Sequence, residues 1–284
     1  MFKFDKVSKF FNDDEKIAVQ DISFQVDDGE FVFLTGHSGS GKTTLLRLLL
    51  REYKPTEGDI FFNDYNLRKI SRRKVSKLRR QIGVVFQDYQ LLDDLNVYEN
   101  IALPLIIAKQ SRKEIKSRIG ELLKLLGLTG YEKAFPSELS GGEAQRISLA
   151  RALATAPKVI YADEPTGNLD HQNAFDIINL LKSVNQYGTT VIVATHNLDF
   201  VRQFPESRQL VLEKGRLAKD SKAPTIKKID LSEVKSETEV KNKEKIEAEQ
   251  KVSKLDKKQS QAVEDKKKSI KIKEKKPETK KEVV

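Results

Sequence analysis

The segment Gly36-His37-Ser38-Gly39-Ser40-Gly41-Lys42-Thr43 sets the narrowest limit on what this chain can fold into. It fits the pattern G-x-x-x-x-G-K-[ST], and its flanks supply the required context. Phe31–Thr35 is a short apolar run suited to a buried strand, and Thr44–Leu50 reads as a helix. Strand, glycine loop and helix in that order predict an α/β core. The glycines let the backbone curl until successive N–H groups point inward, and the helix start adds partial positive charge at the same place. Gly36 through Thr44 are therefore expected to cradle phosphates, with Lys42 on the β- and γ-phosphates and Thr43 on Mg²⁺. A glycine turn that binds nothing would not need this order of elements.

A second apolar run, Val159-Ile-Tyr-Ala162, ends in Asp163-Glu164. Acids at the C-terminal end of a strand lie where α/β sheets bind ligands. Asp163 is expected to hold Mg²⁺ through water, and Glu164 to orient or deprotonate the attacking water. Tyr161 brings a hydroxyl into a strand that otherwise reads as buried.

Leu139-Ser140-Gly141-Gly142-Glu143 lies about a hundred residues after the loop, ahead of the glycine-free stretch Glu143–Leu153. It is a second helix N-terminus suited to an anion. With the loop and the Asp-Glu strand, it resembles the nucleotide-binding subunits of ATP-binding-cassette (ABC) systems. The resemblance covers about residues 1–220. It implies a RecA-like P-loop core, an antiparallel β subdomain and an α-helical subdomain inserted over about residues 88–140. It also implies ATP as ligand, Mg²⁺ as cofactor and ATP hydrolysis as activity. Ser140, Gly141 and Gly142 would then contact the nucleotide of another protomer, so two chains would join head to tail around ATP.

The resemblance assigns further residues. Gln87, after Gly83-Val-Val-Phe86, is similar to the glutamine that senses the γ-phosphate and Mg²⁺ and faces a membrane partner. His196, closing Thr190–Thr195, is similar to the switch histidine. Gly167-Asn-Leu-Asp170 is similar to the loop that reaches the opposite protomer. Phe11 stands where an aromatic ring stacks on adenine, usually Tyr; the phenyl face keeps the stacking. A plain core role for Phe11 stays open. Departures are His37 where Pro is usual, Tyr161 where an aliphatic residue is usual, and Ala144 where Gln is common.

Composition bounds the rest. The 284 residues include no cysteine, which excludes disulfides and thiolate metal sites. No signal-peptide core and no apolar run of about 18 residues is present, so a membrane link is expected to run through a partner or surface charge. The net charge of +10 is concentrated at one end, since residues 221–284 carry 20 Lys against 13 Asp or Glu and no glycine or aromatic residue. Residues 221–284 are therefore expected to be a disordered or transiently helical tail behind a folded domain of residues 1–220.

Connecting segments narrow the resemblance. Leu49–Gly58, with its run Arg51-Glu-Tyr-Lys54, together with Leu78–Asp88, Val97–Pro104 and Gly188–Asn197, resembles the FtsE family of bacterial cell-division ATPases. That family pairs with an integral membrane protein, FtsX, at the cytoplasmic face of the membrane at the division site, and controls cell-wall hydrolases. The alternative is the ATPase of a lipoprotein-releasing or macrolide-type exporter, which shares almost all of these motifs. Anionic lipid is a further candidate contact for the tail. Nucleic acid is not an expected partner, because cassettes of that kind usually carry two copies per chain or a long coiled-coil insertion.

Overall fold

The computed structural model describes residues 1–11 and 16–221. The charge-rich tail assigned above falls almost wholly outside the described residues.

Strands β1 (Phe2–Phe11), β2 (Lys16–Val26), β4 (Glu57–Phe62) and β5 (Tyr65–Asn66) form an antiparallel sheet in the order β2-β1-β4-β5. A second sheet takes β3 (Phe31–Thr35), β6 (Ile82–Val85), β7 (Val159–Asp163), β8 (Thr190–Thr195), β9 (Arg208–Glu213) and β10 (Arg216–Asp220) in the order β10-β9-β3-β8-β7-β6. Its pairings from β9 to β6 are parallel, and only β10 runs antiparallel. The helices are α1 (Lys42–Leu49), α2 (Arg72–Arg79), α3 (Val97–Ile107), α4 (Arg112–Leu125), α5 (Gly141–Leu153), α6 (His171–Gln186) and α7 (Leu198–Gln203).

The central strands are apolar on both faces, as a parallel sheet covered on both sides requires. Side chains alternate across a strand, and the two faces feed two cores. Val32, Leu34, Val159, Tyr161, Ile192 and Ala194 meet Phe2, Phe4, Leu45 and Leu49 on one side. Phe31, Phe33, Ile160, Ala162, Val191 and Val193 meet Ile101, Ile119, Ile147 and Phe200 on the other. α1 is thus wedged beneath the antiparallel sheet. Truncating a fully buried leucine such as Leu45 to Ala would cost about 2–5 kcal/mol.

Helices α3 and α4 start in capping boxes, Asn96 with Glu99 and Ser111 with Glu114. Each box closes two helix-start N–H groups reciprocally and fixes where the helix begins. At the far edge Arg208, almost fully buried, bonds Asp220 at 2.7 and 2.8 Å, Glu30 at 2.8 Å and the Gln25 carbonyl at 2.7 Å. This buried, fully paired guanidinium pins the β9–β10 hairpin to the turn before β3. Removing Asp220 would leave two N–H groups of this buried guanidinium without their acceptors. No helix among the described residues is long and apolar enough to cross a membrane.

Candidate functional site

The loop after β3 takes its shape from three left-handed glycines, Gly36, Gly39 and Gly41. Gly41 is the most constrained. With φ 111° it caps α1, and a Cβ there would meet Val19 Cγ1 at 2.7 Å and the Ala18 carbonyl at 2.9 Å. His37, Ser38 and Gly39 are exposed at the crest, Ser40 and Lys42 are buried, and Thr43 faces solvent while Thr44 is half-buried. α1 has no side-chain cap and no acid in its first turn. Its first N–H groups are therefore open to an external acceptor, at the positive end of the helix dipole.

Lys42 curls back over the loop, its Nζ donating to the Gly36 carbonyl at 2.7 Å and the His37 carbonyl at 3.3 Å. The same Nζ lies 3.2 Å from Glu164 Oε1. Glu164 Oε2 meets His196 Nδ1 at 2.9 Å and accepts from the His196 N–H at 3.3 Å. Thr43 Oγ1 donates to Asp163 Oδ2 at 2.9 Å. Lys42, Thr43, Asp163, Glu164 and His196 thus form one cluster at the C-terminal ends of β3, β7 and β8. Burial pushes the Asp163 carboxyl above its ordinary range, against the hydrogen bond from Thr43. Its Oδ1 is buried with no hydrogen-bond partner among the described residues. A buried, unpartnered carboxylate oxygen beside a threonine hydroxyl suits a hard cation that takes a few protein oxygens and completes its shell with phosphate and water. The residues present fit Mg²⁺.

Tyr161 resolves one departure noted in the sequence. Its hydroxyl donates to the Lys42 carbonyl at 3.0 Å, so the acid-bearing strand β7 is tied to the start of α1. Burial raises the phenol well above its ordinary range, which keeps it a donor.

Gln87 faces the same cleft, which Thr43, Phe86, Asp88, Asp163, Glu164 and Asn168 line with it. Asn168 clasps Gln87 from both sides, donating to its carbonyl at 3.0 Å and accepting from its Nε2 at 3.4 Å. The sequence places Asn168 only within the segment Gly167–Asp170 directed at the opposite protomer; its bonds to Gln87 within the same chain are what sequence reasoning missed.

Ser140 caps α5, and its hydroxyl and N–H both bond Glu143, at 2.7 and 2.8 Å. Bonds from Ser140 and Tyr131 hold the Glu143 carboxyl below the usual carboxylate range. Gly141 and Gly142 are small because their neighbours are close. A Cβ on Gly141 would sit 2.8 Å from the Tyr89 hydroxyl, and one on Gly142 would sit 2.6 Å from Asn173 Oδ1.

Among the described residues, Ser140, Asp170 and Phe11 make no hydrogen bond to the Lys42–Glu164 cluster, and Gln87 faces it while bonding only Asn168. Ser140 serves its own capping box. Asp170 caps α6, accepting from the Asn173 N–H at 2.9 Å and side chain at 2.6 Å, which lowers its pKa. Phe11 is half-buried at the end of β1, edge-on to Tyr53 at 5.1 Å, with Lys9 Nζ 4.9 Å from its ring centroid. Arg47 of α1 hydrogen-bonds the Tyr53 hydroxyl at 2.7 Å, so Phe11 belongs to an aromatic corner beside α1.

A parallel sheet whose strand ends carry a phosphate loop and two acids, with a second glycine-bearing helix start in the same domain, defines a P-loop nucleotide-binding cassette. The ABC transporter family model matches residues 19–167. The cell division ATP-binding protein FtsE of Streptococcus pneumoniae serotype 2 is 46% identical over 216 residues, covering 76% of this chain and 93% of that protein. FtsE of Mycobacterium tuberculosis is 44% identical over 223 residues, covering 78% and 95%. FtsE of Escherichia coli K12 is 43% identical over 217 residues, covering 76% and 97%. A dimeric post-hydrolysis structure of the ATP-binding cassette MJ0796 bound to ADP and Pi has TM-score 0.71 at 36% identity, covering 80% of this chain and all of that one. The chain belongs to the ABC transporter family and, within it, to the cell division ATP-binding proteins FtsE.

Proposed function

We propose that this chain is the ATP-binding and ATP-hydrolysing subunit of a cell-division ABC complex, coupling ATP-driven dimerisation to a membrane partner. The observation that supports this reading is the single cluster joining Lys42 and Thr43 of the loop to Asp163, Glu164 and His196 at the strand ends. In the reaction, Lys42 and the loop N–H groups from Gly36 to Thr44 hold the β- and γ-phosphates. Thr43 and Asp163, with Gln87, would hold Mg²⁺, whose contribution is to neutralise phosphate charge. Glu164 orients the attacking water and draws its proton. His196 fixes the Glu164 carboxylate through Nδ1. Phe11 offers a ring face to the base.

The two helix starts belong to different sites in this reading. Two protomers related by a two-fold axis place Ser140–Gly142 of each, with the Asp170 loop, against the nucleotide of the other. The dimeric MJ0796 cassette is consistent with that arrangement. The membrane partner is an FtsX-like integral protein reached through the Gln87 side, which sets the chain at the cytoplasmic face of the membrane, at the division site. Residues 1–220 form the ATPase domain in this reading, and the Lys-rich residues beyond it add contact with anionic lipid.

Glu164→Gln tests the reaction. The amide keeps the shape and loses the base, so hydrolysis should fall by about 10²–10⁴-fold while ATP binding persists. Hydrolysis at the wild-type rate would overturn the assignment.

A further inference from the structure

Arg151 is a cation that the reading above does not use. It stands in the last turn of α5, where burial lowers its pKa, and it has no carboxylate partner among the described residues. Its guanidinium is committed instead to two backbone carbonyls. Nη2 donates to Tyr89 at 2.9 Å and Nη1 to Gln90 at 2.6 Å. Ser148, one turn earlier on α5, donates to the same Tyr89 carbonyl at 3.0 Å. One turn earlier again, the fully buried Gln145 donates to the Phe86 carbonyl at 3.2 Å. A stripe of α5 side chains therefore grips the backbone on both sides of Gln87.

The gripped backbone is strained. Tyr89 and Gln90 are consecutive non-glycine residues in the left-handed region, at φ 59° and 49°. L-residues occupy that region at a cost and hold it only where their surroundings insist. The Tyr89 side chain then lies against Gly141 at the start of α5. The two ends of α5 thus meet the same segment: the signature glycine at one end, Arg151 at the other.

We propose that Arg151 is a positioning residue for ATP hydrolysis, holding Tyr89 and Gln90 left-handed so that Gln87 faces the cleft and moves together with the signature. The inference rests on the proposed role of Gln87 and deepens it. Gln87 serves the protomer's own nucleotide, whereas Ser140–Gly142 serve the partner's. The grip of α5 on residues 86–90 therefore links the two composite sites of a dimer through one chain.

The test measures kcat, ATP affinity and melting temperature for Arg151→Ala and Arg151→Lys in the full chain. Lysine keeps the charge and three donors, but on one nitrogen without the rigid planar fork that reaches the two carbonyls from separate nitrogens, so its grip is looser. The expected result is a fall in kcat per folded molecule of about tenfold to a hundredfold in Arg151→Ala, a smaller fall in Arg151→Lys, and ATP affinity within about twofold of wild type. Adding Gln90→Gly to either variant should recover much of the lost kcat, because glycine takes positive φ without steric cost. Unchanged kcat per folded molecule in both variants would overturn the proposal. So would a loss that follows melting temperature alone and is not recovered by Gln90→Gly. Glu164→Gln run alongside separates the two readings: if it hydrolyses normally, the proposed function fails; if it is inactive while Arg151 variants are normal, only this inference fails.

Discussion

The chain contains two glycine-bearing helix starts that look alike in sequence and differ in how their N–H groups are satisfied. α1 begins at a left-handed glycine with no side-chain cap, no acid in its first turn and a lysine beside it. α5 begins at Ser140 with a complete capping box, an acid in its first turn and a tyrosine hydroxyl on that acid. The first is left open for an external anion. The second satisfies part of its own helix start, and the negative charge of Glu143 offsets the dipole that would attract a phosphate. The difference teaches a division of labour. In the proposed reading α1 captures a nucleotide alone, while α5, its start already capped, contributes only when another surface brings the phosphate to it.

The largest expected effect is on the open end. Lys42→Ala removes the one buried cation of the cluster and should lower ATP affinity and hydrolysis by roughly a hundredfold or more, read by equilibrium nucleotide binding and phosphate release. Near-normal binding would mean that the loop backbone alone captures the nucleotide.

Glycine replacements sharpen the contrast next. At Gly41 a Cβ meets backbone and the residue is left-handed, so Gly41→Ala should destabilise by about 1–3 kcal/mol and lose ATP binding. At Gly142 the nearest atoms to the Cβ belong to the Asn173 side chain. Gly142→Ala should melt nearly as wild type, bind ATP and lose hydrolysis, with Asn173→Ala restoring part of it. Equal melting temperatures for the two replacements would erase the distinction drawn here.

A smaller effect is expected at the cap. Ser140→Ala should cost about 1 kcal/mol in thermal or denaturant unfolding, with monomer ATP binding unchanged. Smallest is the pH dependence. The folded-state pKa of Glu143 is depressed, so its stabilising contribution is present above the unfolded value of about 4.3 and is lost as pH falls through the lower folded value. The stability gap between wild type and Glu143→Gln should therefore be constant near neutrality and close below about pH 4.

Much of this contrast was legible from the sequence, but not all of it. The strand at Phe31–Thr35 was readable to the residue, because a parallel strand buried on both faces is a continuous apolar run. Helix α5 reads from Glu143, yet begins at Gly141, because the Ser140 cap pulls two glycines into the first turn. Helix α2 is mostly basic, and with only Val75 and Leu78 apolar it offers no periodicity to read. Tyr161 was visible as an anomaly, but its bond to the Lys42 carbonyl spans 119 residues of chain and is set by tertiary packing. Tyr89 and Gln90 carry no sequence mark of their left-handed backbone, since the usual mark is a glycine. The bonds of Asn168 to Gln87 and of Arg151 to the Tyr89 and Gln90 carbonyls escaped for the same reason: their partners are distant in the chain.

The central claim is that the open helix start of one protomer and the capped helix start of another complete a single site. Gel filtration with ATP and Mg²⁺ tests it on Glu164→Gln and on Glu164→Gln/Ser140→Arg, with ATP binding measured on both. The account predicts a stable dimer for the first, a monomer for the second, and the same ATP affinity in each monomer. A double variant that dimerises as the single variant does, or that loses ATP binding as a monomer, would contradict it.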